Sequence, residues 1–398
     1  SFLDLLINEV DETDFKEVEI LGWLYQYYIS DKKDIVFDEL KKKKKKIWKE
    51  SIPAATQLFT PKWIVKYMVQ NSVGKTWLES HPNTELQSKW DYYIESESTT
   101  EVNPNLKPED ITVLDPAMGS WHILVYAFEI LFDIYKSAWY TDDEIPKLII
   151  ENNLYWLEID DRAWQIACFA IMMKARKYDK KILKLWLEPS VCSIQESSEC
   201  DKIDELIYPE LAKLCIAFKQ WKLLWSLITL NDFDLEKVNK EFEKLQNENS
   251  IFNVNLVKKL PLIIKQAEFI YRKYSCVVSN PPYMGSGWMD KDLWIYLKKN
   301  YPDTKSDLMT CFVERNLKFT DNSWYTSMII LPSWLFLTSF EKLRINILEN
   351  FSFNSLLHMG RWIFWVDWGS VAFTIKKEFN PDSVWAYFRL HKRNFQHI

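Results

Sequence analysis

From residue 111 onward the chain alternates short apolar runs with long amphipathic ones. Ile111-Thr112-Val113-Leu114-Asp115-Pro116 is a brief β-branched run of the kind that forms a buried strand. AMGSW follows as a turn and HILVYAFEILFDIYKSA as a helix. NLYWLEID reads as a second strand ending in acids, DRAWQIACFAIMMKARKY as a second helix and PSVCSIQES as a third, shorter strand. This β-α-β-α-β rhythm predicts an α/β protein with a doubly wound, mostly parallel sheet. Residues 197–270 break the rhythm with charged helical sequence and read as an insertion. YSCVVSNPPY at 274–283 resumes the sheet. After it come a helix, SDLMTCFVERNLKF, a strand, WYTSMIILPSWLF, another helix, FEKLRINILEN, and three late strands, FNSLLHM, SVAFTIKK and SVWAYFRL.

Upstream of the sheet, residues 1–50 have helical apolar spacing, form a separate charged N-terminal region and end in six lysines, Lys41 to Lys46. Such a run is a nucleic-acid contact or, more commonly, a solvated face. Residues 51–398 form the core. Thr60 before Pro61 predicts a helix start with a hydroxyl cap and proline in the first turn. Pro82, Pro104 and Pro108 mark residues 81–110 as loop.

Composition narrows the class. With 47% hydrophobic and 27% charged residues over 398 positions, wholesale disorder is excluded. No apolar run reaches the ~18 residues of a membrane span, so no membrane partner is expected. The first residues, SFLDLLINEVDE, lack a basic segment and a starting Met, so a secretory signal is not expected and the chain is expected to be a fragment. Six cysteines without a CxxC pair or zinc spacing fit reduced thiols in a cytoplasmic protein with no metal. The net charge of −6 argues mildly against a nucleic-acid binder.

Three places carry chemistry. Asp115 closes a strand before the small-residue turn Pro116-Ala117-Met118-Gly119-Ser120, where a helix N-terminus and the carboxyl end of a strand meet. Neither a P-loop nor the dinucleotide glycine spacing is present. Asp115 suits a ligand ammonium or a water, or simply caps a tight connection. Glu158 ends the next strand, where an acid takes ribose hydroxyls or is an ordinary surface acid. The sharpest is Asn280-Pro281-Pro282-Tyr283. The prolines freeze the backbone and remove donors. The Asn280 side-chain oxygen and the Pro281 carbonyl then accept from one planar NH2 group, and Tyr283 stacks on the ring bearing it.

With these motifs the chain, over roughly residues 51–378, resembles class I S-adenosylmethionine-dependent DNA adenine-N6 methyltransferases. The resemblance is closest to the PglX-like enzymes of BREX phage-defence systems and to the methylase part of restriction-modification enzymes. It implies a seven-stranded Rossmann-like sheet. It also implies S-adenosyl-L-methionine as cofactor, bound by Asp115, Pro116, Ala117, Gly119, Ser120 and Glu158. Phe59, Thr60 and Pro61 would pack on it, Gln195 or Glu196 would contact its adenine, and Asp307 and Phe312 would line its other side. Catalysis would fall to Asn280, Pro281, Pro282 and Tyr283, acting on an adenine flipped out of double-stranded DNA. A target-recognition domain is expected to be absent, leaving specificity to another part or a partner subunit. The alternatives are an NPPY methyltransferase acting on protein or RNA, and a catalytically impaired DNA-binding scaffold.

One count departs from the family. The chain has 7 glycines and 20 tryptophans, together close to the ~28 glycines expected at this length. Trp121, Trp156, Trp164, Trp288, Trp362 and Trp365 stand where glycine is expected. An indole at 121 is expected to weaken or abolish cofactor binding; alternatively, the sequence is altered relative to the natural protein.

Overall fold

The computed structural model describes residues 59–95, 103–119, 121–197, 203–219, 221–230, 233–248, 254–361, 363 and 369–391, with residues 22, 25, 33, 35, 36, 38 and 46. The N-terminal helical region otherwise, the lysine run apart from Lys46, and Ser120, Trp362 and Trp365 lie outside the described residues.

Before the sheet come α1 (Lys62–Val69), a π-helical turn (Gln70–Gly74), α2 (Lys75–Ser80) and α3 (Thr84–Ser88). The sheet opens with β1 (Val113–Asp115), α4 (His122–Ser137), α5 (Ile145–Leu148), β2 (Leu154–Glu158), α6 (Asp161–Tyr178) and β3 (Ser190–Ser193). A helical excursion follows as α7 (Pro209–Ala217), α8 (Trp221–Leu224), α9 (Leu235–Asn247) and α10 (Val254–Tyr271). The chain returns through β4 (Tyr274–Ser279), α11 (Lys291–Asn300), α12 (Leu308–Phe319), β5 (Thr320–Ile330), α13 (Glu341–Asn350), β6 (Ser352–Gly360), β7 (Ser370–Lys376) and β8 (Ala386–Arg389).

The strands form one sheet in the order β3-β2-β1-β4-β5-β7-β6-β8. β7 runs antiparallel to β5 and β6, and the other pairings are parallel. The expected doubly wound, Rossmann-like sheet of seven strands is therefore present, and β8 extends it by one beside β6. Both faces are covered, so β1, β2 and β4 are buried along their whole length and mostly apolar, with Asp115 and Glu158 at the ends of β1 and β2. Successive side chains enter opposite layers. Val113, Trp156 and Cys276 pack with α1, α4 and α6. Leu114, Tyr155 and Val277 pack with the excursion, α11 and α12.

One local expectation is corrected. Helix α1 begins at Lys62, with Pro61 as the residue before it, and no side chain caps its start. The Thr60 hydroxyl is engaged elsewhere, accepting a hydrogen bond from Asn280. The Pro61 carbonyl instead takes the N–H groups of Ile64 and Val65.

Candidate active site

After β1 the chain crosses to β2 on one side and returns much later to β4 on the other. The winding reverses there, and the carboxyl ends of β1 and β4 border a crevice where open α/β sheets bind ligands. Asp115 is the last residue of β1, Glu158 the last of β2, Gln195 follows the end of β3 and Asn280 the end of β4. Register confirms the alignment: Leu114 lies beside Val277, Asp115 beside Trp156, and Glu158 beside Ser193. Residues 37 to 165 positions apart in sequence are thus gathered on one edge of four adjacent strands.

Asp115 is wholly buried. One carboxylate oxygen accepts from the Ala117 N–H at 3.1 Å, and the other has no partner among the described residues. Burial pushes its pKa up to about 8, and neighbouring Glu158 adds to the rise. Glu158 is also buried, and its pKa is pushed up to about 7 by burial, against the lowering effect of backbone donors. Those donors are Gly119 N–H at 2.9 Å on one oxygen and Ile159 and Asp160 N–H on the other. Glu158 therefore clamps the 115–119 turn, whose Gly119 has a φ of 50°. Ser226, from the helical excursion, donates to the Pro116 carbonyl at 2.8 Å and closes the turn from the other side.

At the end of β4, Pro281 and Pro282 are buried, while Asn280 and Tyr283 are half-buried. The Asn280 amide donates to Thr60 Oγ1 at 3.0 Å. The Tyr283 hydroxyl lies 2.8 Å from Asn280 Oδ1 and 3.0 Å from the Ile329 carbonyl, with one proton to give between them. This fixes which end of the Asn280 amide points to the phenol. Asp307, at the start of α12, accepts from Met309 N–H at 3.1 Å as a helix cap and from Met284 N–H at 3.2 Å. It ties the loop after Tyr283 to α12, and Leu308 N–H donates to the Met284 carbonyl.

The remaining expected residues divide between site and scaffold. Phe59 meets His122, at the start of α4, ring edge to ring face with centroids 4.0 Å apart. Gln195 binds Asp161 through its side chain and Gln266 through its N–H. Glu196 lies half-buried next to it. Phe312 is wholly buried in the core, 6.1 Å from the Trp225 ring. Trp121 precedes α4 and is buried against Tyr25. Sequence reasoning missed Ser226, Asn316, which donates to Ser279 Oγ at 2.8 Å, and Arg315, whose guanidinium donates to the carbonyls of Ser226 and Ile270. No local pattern marks them, because their partners are mostly backbone carbonyls brought near by the fold.

The sheet and its four gathered strand ends define a Rossmann-like α/β protein whose winding reverses between β1 and β4. Within that class, the chain belongs to the Eco57I restriction-modification methylase family, whose model matches residues 152–364. It is 38% identical over 385 residues to the adenine-specific methyltransferase BrxX of Escherichia coli O9:H4 (strain HS), covering 86% of this chain and 32% of that protein. It is 37% identical over 374 residues to the adenine-specific methyltransferase PglX of Lacticaseibacillus casei (strain Zhang), covering 85% of this chain and 30% of that one. The chain spans about a third of the length of these curated relatives. A solved structure, the ATP-dependent Type ISP restriction-modification enzyme LlaBIII bound to DNA, aligns at a TM-score of 0.48 and 14% identity, covering 90% of this chain and 22% of that chain.

Proposed function

We propose that the chain is the catalytic part of a DNA methyltransferase that methylates the N6 amine of adenine. The observation carrying this is the meeting of Asp115 and Asn280 at one reversal point of the sheet, beside an amide–proline–proline–tyrosine loop. The oxygen of buried Asp115 that has no partner among the described residues fits a donor-bearing cationic ligand, since a buried carboxylate needs such a partner. S-adenosyl-L-methionine, when bound, supplies an electrophilic methyl group. Asp115 would hold its ammonium and Glu158 its ribose, with Gly119 allowing close backbone approach. Phe59, Thr60, Pro61, Ala117, Gln195 or Glu196, Asp307 and Phe312 would complete the surround.

The amine of adenine is a poor nucleophile because its lone pair is delocalised into the ring. Asn280 Oδ1 and the Pro281 carbonyl would accept its two hydrogens, favour a more tetrahedral nitrogen and aim the lone pair. Thr60 holds the nitrogen of the Asn280 amide, which leaves its oxygen to the Tyr283 side. Tyr283, which now donates to that oxygen, would yield it to the amine and stack on an adenine flipped from double-stranded DNA. Both relatives are named adenine-specific methyltransferases, which supports adenine as the base acted on; in this reading the enzyme would serve phage defence inside the cell, together with partner subunits.

The test is transfer of tritiated methyl to DNA by the protein isolated from its own cell. Label is expected in adenine, with a loss of roughly a hundredfold or more in Asn280→Ala at unchanged melting temperature. Label confined to protein or RNA, or equal label with the variant, overturns the proposal.

A further inference from the structure

Among the described residues, five that are not glycine have a positive φ. Four are tryptophans: Trp121 (50°), Trp139 (69°), Trp186 (51°) and Trp225 (50°); the fifth is Ser323. A bulky side chain avoids this region because Cβ crowds the neighbouring carbonyl, and asparagine or aspartate are the usual exceptions to glycine. No described asparagine or aspartate is there. Trp139 is diagnostic. Helix α4 ends at Ser137, and Trp139 N–H bonds the Lys136 carbonyl at 3.1 Å while Tyr140 N–H bonds the Tyr135 carbonyl at 3.2 Å. In that two-bond helix terminus the left-handed residue is usually glycine.

The indoles give a second, independent observation. Trp139 and Trp186 are 94% and 90% exposed, which wastes a large apolar ring. The buried indole N–H groups of Trp121, Trp156, Trp164 and Trp334 have no hydrogen-bond partner among the described residues, although buried indoles ordinarily find one. Other tryptophans are well seated. Trp77 donates to Ser137 Oγ at 3.2 Å and stacks on His81, and Trp90 donates to Asp133 at 3.2 Å over the bare Cα of Gly74.

We propose that positions 121, 139, 186 and 225 are glycine in the protein its own cell makes, through one codon that this cell reads as glycine and other codes read as tryptophan. UGA fits, being one base from the glycine codon GGA and one from the tryptophan codon UGG. The consequence falls on the site, and this part rests on the proposed function. The Trp121 indole is buried between the start of α4 and Tyr25, whose hydroxyl bonds Asp160 at 2.6 Å. Glycine at 121 removes that ring beside the 115–119 turn and opens the N-terminus of α4 to the ligand.

Two measurements test this. The first is peptide mass analysis of the protein from its own cell, set beside the codons of its gene. Glycine is expected at all four positions under UGA codons, with Trp77 and Trp90 retained under UGG; tryptophan at any of the four overturns the proposal. The second uses the recombinant chain and its Trp121→Gly, Trp139→Gly, Trp186→Gly, Trp225→Gly variant. The variant is expected to melt several degrees higher, and an unchanged or lower melting temperature counts against the four as glycine positions. Titration with S-adenosylhomocysteine is expected to show at least tenfold tighter binding in Trp121→Gly. Equal binding by the two chains overturns the ligand route at position 121 and leaves the cofactor standing, whereas no binding by either, with glycine found in the native peptides, retains the glycine assignment and overturns the proposed cofactor.

Discussion

Asp115 shows how one residue can serve ligand binding against stability. Its pKa is pushed to about 8 by burial, whereas an unfolded aspartate titrates near 4. Between these values the native state holds a proton that the unfolded state has released, so its contribution to stability is full below pH ~4 and is lost as pH rises towards 8. Asp115→Asn is expected to raise the melting temperature at pH 8, by on the order of 1–3 kcal/mol of stability, and to leave it nearly unchanged at pH 4. A variant with the same pH slope as the parent would show that Asp115 is ionised in the fold. At this scale Asp115, Glu158 and Asn280 were legible because each ends a strand beside a turn. The turn-clamping role of Glu158 was not, since its donor Gly119 lies 39 positions away.

Elements were legible where period and punctuation agreed. HILVYAFEILFDIYKSA became α4, and the aspartate of SDLMTCFVE became the cap of α12. The cap expected of Thr60 failed because a partner 220 residues away claims its hydroxyl. Helix α12 also anchors the helical excursion through Arg315, which is buried over the Phe319 ring and bound to two carbonyls. Replacing it leaves those carbonyls unpaired, at about 1–3 kcal/mol each. Arg315→Met is expected to lower the melting temperature and to speed amide exchange in α10 and at Ser226 before the sheet. Uniform exchange across the molecule would show that the excursion and sheet unfold together without this anchor.

Across the whole molecule, fold class came from the strand–helix rhythm, while the antiparallel insertion of β7 between β5 and β6 has no marker in the sequence. Large phenols fill both layers. Tyr67, Tyr274, Tyr301 and Tyr325 are buried, and burial raises their pKa above the ordinary phenol value. The unfolded chain releases these protons near pH 10 and the native one keeps them, so stability is lost as pH climbs through that value. Thermal melts at stepped alkaline pH are expected to fall steeply above ~10, with phenolate absorbance appearing together with unfolding. Phenolate signal preceding unfolding would contradict the burial of these groups.

The hydroxyl of Tyr283 rests on the oxygen of Asn280. A visitor must therefore outbid an incumbent. On the proposed reading, an aromatic ring that carries no amine hydrogen has nothing to set in the phenol's place and is expected to bind less well than adenine. Selectivity of this kind would be a competition in which one amine hydrogen displaces the phenol from Asn280 and the other finds the Pro281 carbonyl.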